Sequence, residues 1–283
     1  MALKKYLPPS INRRLYIWRQ QLAVLAASND PNVRNRAARL RQLKGAYQGQ
    51  RCFVMGNGPS LNQMDLSLFE GEKVWGSNRC YLLFDRIRWR PAFFLAVDKL
   101  VVPDNRDMLE ALPGELAGTQ FFYPVGFRAQ HILASHPNVY WFDEPPVQVD
   151  MDRLPEGTFT RDASRGVYAS FTVTVSALQL AAYLGFNPIY LIGCDTSYAK
   201  MPTIQIEPGN VERLVSTASD PNHFDPRYFG EGKRFHEPHV ARMIFHYHES
   251  RLVCESMGVK VYNATVGGNL EEFERVNYRD LFS

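Results

Sequence analysis

The chain has 283 residues, 45% hydrophobic and 22% charged, with a net charge of +3. That composition excludes disordered, collagenous and disulfide-scaffold classes and leaves a globular protein of one large or two small domains. No apolar run reaches the length of a membrane span. The cysteines Cys52, Cys80, Cys194 and Cys254 lie far apart without a Cys-x-x-Cys pair, so reduced buried thiols in a cytoplasmic protein are expected rather than disulfides or zinc.

In chain order, residues 1–50 come first, as a basic helical N-terminal arm with ten Lys/Arg against one acid, Asp30. A break is expected at Ser28-Asn29-Asp30-Pro31. Leu7-Pro8-Pro9 and Arg13-Arg14 interrupt any signal-peptide core, which keeps the expected location cytoplasmic. Residues 1–27 combine Trp18 and aliphatic residues with Arg13, Arg14 and Arg19. Two readings stand side by side: peripheral attachment to the acidic inner-membrane surface, or packing on the body or on a second copy in a homo-oligomer. No nucleic-acid partner is expected, because the basic excess stops where the body begins.

The body, residues 51–283, reads as alternating strands and helices. Strand-like runs are Cys52–Met55, Lys73–Gly76, Ala92–Val97, Gln120–Tyr123, Val139–Phe142, Pro188–Ile192 and Val259–Tyr262. Helical patterns run over Val167–Leu184, stopped by Gly185, and Pro238–Met257, stopped by Gly258. This predicts an α/β, Rossmann-like, mostly parallel sheet with helices on both faces.

Polar residues recur at the predicted carboxyl ends of strands: Asn57, Ser77-Asn78, Asp98, Gly193-Cys194-Asp195 and Asn263-Ala264-Thr265. In an open parallel sheet these points share one edge, where ligands bind. The first of them, Gly56-Asn57-Gly58-Pro59-Ser60-Leu61, is read as a phosphate-facing turn or as an ordinary tight turn. The glycines allow close approach, Pro59 suits a first helical turn, and Ser60 can cap it or bond a phosphate oxygen. It is neither a dinucleotide fingerprint nor a P-loop. Asn78 falls where a dinucleotide fold places an acid, which favours a nucleotide other than NAD. Asp195 is a hydroxyl partner or a helix cap.

Five histidines, His223, His236, His239, His246 and His248, cluster near the C-terminus. The Pro-, Gly- and aromatic-bearing segment before His236 predicts a lid over about 199–236. A histidine at its base suits general-base chemistry or phosphate contact. Cap or surface histidines and a metal site are the other readings. No full zinc signature is present and no metal ligand is assigned.

Taken together, Gly56–Leu61, Ser77-Asn78, Ser164-Arg165-Gly166-Val167-Tyr168 and Ile189–Asp195 resemble the bacterial sialyltransferases of glycosyltransferase family 42. Asp220–Phe224 and Tyr262–Gly268 resemble a related group, the domain of unknown function 115, which is allied to 6-hydroxymethylpterin diphosphokinases. The first resemblance implies inverting transfer from a CMP-activated nonulosonic sugar to a glycan or glycolipid acceptor in surface-polysaccharide synthesis. No cofactor is then required. It further implies that Asn57, Ser60 and Asn78 hold the cytidine nucleotide and its phosphate, on the side where Gly56, Gly58, Pro59 and Asp98 are placed by the turn and the strand ends. Ser164 and Gly166 would approach the donor, Gly193 and Asp195 would line the same cleft, and Arg165 is suited to pair with a phosphate or sugar carboxylate. His236 is the implied base, His223 its neighbour, and Tyr198 or Tyr228 the phenol facing the leaving phosphate. Arg165 stands where the sialyltransferases carry a small hydroxyl residue. The second resemblance implies an ATP-dependent diphosphokinase, with Mg²⁺ on Asp98 and Asp195. A non-catalytic nucleotide-binding envelope protein is the third reading.

Overall fold

The computed structural model describes residues 30–283, apart from 101, 131, 133–134, 146–157 and 207–212. Residues 1–27, read above for membrane attachment, lie outside the described residues.

The strand runs are apolar on both sides because both faces are covered. In β1 (Cys52–Met55) every residue is buried. Phe53 and Met55 face one core, and Cys52 and Val54 face the other. The remaining strands of the main sheet are β2 (Val74–Ser77), β3 (Phe93–Leu95), β4 (Gln120–Pro124), β5 (Val139–Phe142), β6 (Ile189–Ile192), β10 (Val261–Asn263) and the two-residue β11 (Glu274–Arg275). Their order is β11-β10-β6-β1-β2-β3-β4-β5. Every pairing is parallel. The Rossmann-like sheet expected from the sequence is therefore present. β7 (Thr203–Gln205), β8 (Arg213–Ser216) and β9 (Arg234–His236) form a separate antiparallel sheet.

The helices are α1 (Pro31–Arg34), α2 (Arg36–Leu43), α3 (Arg106–Glu115), α4 (Val173–Tyr183) and α5 (Val240–Ser256). Leu40 of α2, the apolar α4 and Tyr247 and Cys254 of α5 share one core. Val33 of α1 and Leu109 and Leu112 of α3 share the other, with short turns near Leu61 and Phe69. Aromatic pairs fill both, such as Trp75 stacked on Phe93 with ring centres 4.5 Å apart. Truncating a fully buried ring of this kind costs about 3–5 kcal/mol. α4 is apolar on all sides and almost wholly buried, so it runs through the core and not along the surface. Thr172 caps it and Gly185, at φ +92°, ends it.

The stretch after Pro31, counted with the basic arm in the sequence, packs on the body. Arg36 bonds Asp143 at 2.8 Å, and Arg39 donates to the carbonyls of Val139 and Pro137. The amides of Gly45, Tyr47 and Gly49 bond the carbonyls of Tyr183, Leu184 and Gly185.

The chain lays strands β2 to β5 outward from β1, then returns to place β6 on the other side of β1. This reversal opens a crevice at the carboxyl ends of β1 and β6, the usual place for a ligand in an open α/β sheet.

Candidate functional site

The floor of the crevice is two loops held against each other. The Gly56 amide donates to Ile192 O at 2.8 Å and the Gly58 amide to Gly193 O at 2.9 Å. A Cβ on Gly56 would lie 2.3 Å from Gly193 O, and one on Gly58 would lie 1.8 Å from Asp195 Oδ2. Contact between the loops therefore requires both glycines, independently of any ligand. Asp195 accepts from the Ser60 hydroxyl at 2.7 Å and the Ser60 amide at 3.2 Å. Burial pushes the Asp195 carboxyl up, against the opposing pull of the Ser60 hydrogen bonds.

This corrects the phosphate-facing reading of Gly56–Ser60. The amides of Gly56, Gly58 and Ser60 are engaged by protein acceptors, and the nearest charge is a carboxylate. Pro59–Gln63 is a five-residue 3₁₀ turn, too short for an appreciable macrodipole. Pro59 and Ser60 stand behind the floor, and Ser60 serves Asp195.

A cavity of about 660 Å³ rises from this floor. Gly56, Asn57, Gly58, Gly193 and Asp195 form its base, and Asn78 and Asp98 its side below β2 and β3. Asn57 donates Nδ2 to Ser77 Oγ at 3.0 Å. Among the described residues, the Oδ1 atoms of Asn57 and Asn78 are buried and accept no hydrogen bond. Each such orphan acceptor costs about 1–3 kcal/mol, a cost relieved by a ligand bearing amino or hydroxyl donors. Asn78 sits at φ +49° and Thr196 at φ +50°. Asparagine tolerates that region; a β-branched threonine does so only under strain.

The opposite wall is built by residues 213–236 and the start of α5. Tyr198, His223, Tyr228 and His236 all face the cavity. His236 Nε2 lies 3.5 Å from Asp98 Oδ1, and its side chain is 47% exposed. His223 Nδ1 lies 2.7 Å from Asp220 Oδ2, with 15% of the side chain exposed. Tyr228 is buried and stacks on His223, and burial drives its hydroxyl far above its usual range. The Tyr198 hydroxyl contacts Met243 Sδ at 3.7 Å. This wall is firmly anchored. Phe224 N donates to Asn57 O at 3.0 Å, Arg79 donates to the carbonyls of Arg227 and Tyr228, and Arg234 grips Asp104.

The chain shares its fold with a glycosyltransferase. The MAf glycosyltransferase from Magnetospirillum magneticum AMB-1 superposes with a TM-score of 0.50 at 16% identity, over 83% of this chain and 35% of that one. The present chain thus spans about a third of that protein's length. The sialyltransferase CstII from Campylobacter jejuni, solved in complex with a substrate analogue, cytidine-5′-monophosphate, gives 0.44 at 13% identity, over 81% of this chain and 85% of that one. No family model and no curated protein matches the sequence.

The glycosyltransferase-like fold does not bring every expected residue to the cavity. Ser164, Arg165 and Gly166 lie outside its lining. The Ser164 hydroxyl and amide both bond Asp162, Arg165 is exposed, and Gly166 is wedged against Pro145 and the Asp143 carbonyl. The lining from this part of the chain is Ala169–Thr174, the approach to α4. Sequence reasoning missed three contributors. The Lys99–Glu144 ion pair lines the cavity, Arg242 sits 4.9 Å over the Phe171 ring, and Asp220 stands behind His223. Lys99 follows Asp98 and Arg242 is one helical turn beyond His239, so helical spacing was a usable signal for the second. Of the histidine cluster, His239 reaches the cavity, His246 is buried with its basicity lowered by burial, and His248 bonds Glu272 at 3.0 Å. Among the described residues, no group of three or more His, Cys, Asp or Glu could hold a metal ion, and no helix is long and apolar enough to cross a membrane.

Proposed function

We propose that the chain is an inverting glycosyltransferase that takes a CMP-activated nonulosonic sugar, of the sialic-acid type, to a glycan or glycolipid acceptor in surface-polysaccharide or glycoconjugate synthesis. One observation carries this reading: a single hollow at the switch point holds both unsatisfied asparagine oxygens and both carboxylate-paired histidines. Its volume suits a nucleotide sugar, and the orphan oxygens suit the amino and hydroxyl donors of a nucleoside.

In this reaction a histidine of the wall, His236 or His223, takes the proton of the acceptor hydroxyl. The freed oxygen pair forms the bond to the anomeric carbon. The bond from that carbon to the phosphate oxygen breaks, and its electrons leave with CMP. Displacement from the face opposite the leaving group inverts the centre. The phosphate is placed away from Asp195, toward the Arg242 side of the cavity, because the floor offers it a carboxylate and engaged amides. No metal is required by the step as written, and membrane recruitment through residues 1–27 would bring the enzyme to a lipid-linked acceptor.

Thermal shift with CMP, CTP, ATP and Mg²⁺ tests the reading. Stabilisation by CMP without metal is expected, amounting to about 2.7 kcal/mol at a hundredfold excess over Kd. Stabilisation only by ATP with Mg²⁺ would instead support a diphosphokinase, and no response to any nucleotide would support a non-catalytic role.

A further inference from the structure

The two histidines of the wall differ in how they are held. His236 Nε2 lies 3.5 Å from Asp98 Oδ1, with about half its side chain exposed. His223 is fixed on three sides. Its ring lies flat on Tyr228, with centres 4.0 Å apart and planes 2° apart. Phe229 meets it edge-on at 5.0 Å. Its Nδ1 is 2.7 Å from Asp220 Oδ2.

Asp220 is itself fully buried and locked in place. Its Oδ1 accepts from the Asn222 amide at 2.8 Å, and its Oδ2 accepts from the Phe229 amide at 2.9 Å. A carboxylate oxygen is an acceptor only, so the ring nitrogen facing it must carry the proton. Nδ1–H then leaves the lone pair of the neutral ring on Nε2. Among the described residues nothing engages Nε2, and His223 lines the cavity.

We propose that His223, not His236, is the proton acceptor of this site, and that Asp220 is its positioning residue, fixing the Nδ1–H tautomer and the ring plane. The role in proton transfer rests on the transferase reading above; the tautomer does not. The stacked ring agrees with the arrangement. Tyr228 is held neutral by burial, so it stacks without adding charge.

The test uses the full ¹⁵N-labelled chain. Long-range ¹H–¹⁵N spectra, with His223→Gln to assign the ring, should show the neutral His223 protonated on Nδ1 and bare on Nε2. Asp220→Asn, whose amide can donate to the ring, should populate the Nε2–H form. It should also lower kcat for CMP release from CMP-N-acetylneuraminate by at least about tenfold, with KM little changed. His223→Ala should cost more activity than His236→Ala. An Nε2–H tautomer in the unmodified chain would overturn the proposal, as would an unchanged kcat in a folded Asp220→Asn variant or a larger loss from His236→Ala. If Asp220→Asn fails to fold, the spectrum of the unmodified chain and the two histidine variants still decide. If the unmodified chain neither releases CMP nor is stabilised by it, the transferase reading falls. The proton-transfer role falls with it, and the tautomer then tests only the positioning by Asp220: Nδ1–H sustains it and Nε2–H removes it.

Discussion

On the floor of the cavity the amides of Gly56, Gly58 and Ser60 all bond protein acceptors, and Asp195 sits where a phosphate was expected. On the wall formed by residues 213–236, His223 and His236 each keep a carboxylate partner and face the open space. The floor spends its polar groups on joining β1 to β6. The wall spends its backbone on anchoring and leaves side chains for chemistry. A glycine-rich turn at a switch point is therefore not by itself a phosphate site: its amides must first be shown to be available.

The sharpest way to break this contrast is to empty the wall. His223→Ala should lower CMP release from a CMP-sugar donor by about 10²–10⁴, while CMP affinity, read by calorimetry, stays nearly constant. Parallel loss of both would move His223 from the chemistry to the binding of the nucleotide.

Disturbing the floor should act on stability first. In Gly56→Ala the new Cβ meets the Gly193 carbonyl, a backbone atom that cannot swing aside. A loss of about 1–3 kcal/mol is expected from urea denaturation, together with weaker CMP binding. An unchanged midpoint would mean that the two loops are less tightly apposed than described.

A smaller effect is expected where the wall meets the body. For Asp104 burial opposes ionisation, yet the Arg234 guanidinium and amide prevail and hold the carboxyl below its usual range. Its contribution is present above the ordinary carboxylate range and is lost as pH falls through the lowered folded value. Because the pair is partly exposed, Asp104→Ala should cost only about 0.5–1 kcal/mol near neutral pH. Faster amide exchange in β8 and β9 would locate the loosening; unchanged exchange there would show that Arg234 does not anchor the wall.

Asp195 gives the opposite pH signature. Its carboxyl is raised, mainly by burial, so the folded chain keeps this proton to higher pH than the unfolded chain. The associated stability is full below the ordinary carboxylate range and is lost as pH rises through the folded value. The stability of the unmodified chain relative to Asp195→Asn should fall across that window, read from urea midpoints. A rise would mean that the Ser60 hydrogen bonds outweigh burial. The smallest effect belongs to Arg165→Ala, which should change CMP affinity by less than about twofold, since Arg165 is exposed and outside the cavity.

Much of this architecture could be read from the residues. Val139–Phe142 and Cys52–Met55 were placed to the residue, because short apolar runs between turns leave few alternatives in a parallel sheet. The convergence of Asn57, Asn78, Asp98 and Asp195 on one edge followed from the same alternation. The antiparallel sheet was not readable. β7 and β9 have three residues each, β7 is largely exposed, and a Pro- and Gly-bearing loop separates β8 from β9. The packing of α1 and α2 was hidden because Arg36 and Arg39 look like solvated charge, whereas they bind Asp143 and main-chain carbonyls about a hundred residues away. The need for glycine at 56 and 58 likewise comes from Gly193 and Asp195, partners that a local reading cannot see.

The most direct test of the central claim is a crystal structure with bound CMP. The cytidine should lie between the side chains of Asn57 and Asn78, each Oδ1 accepting a hydrogen bond from the nucleotide, with the phosphate turned from Asp195 toward Arg242 and His223 open to the sugar side. A phosphate cradled by the amides of Gly56–Ser60, or a nucleotide bound away from the β1–β6 crevice, would contradict it.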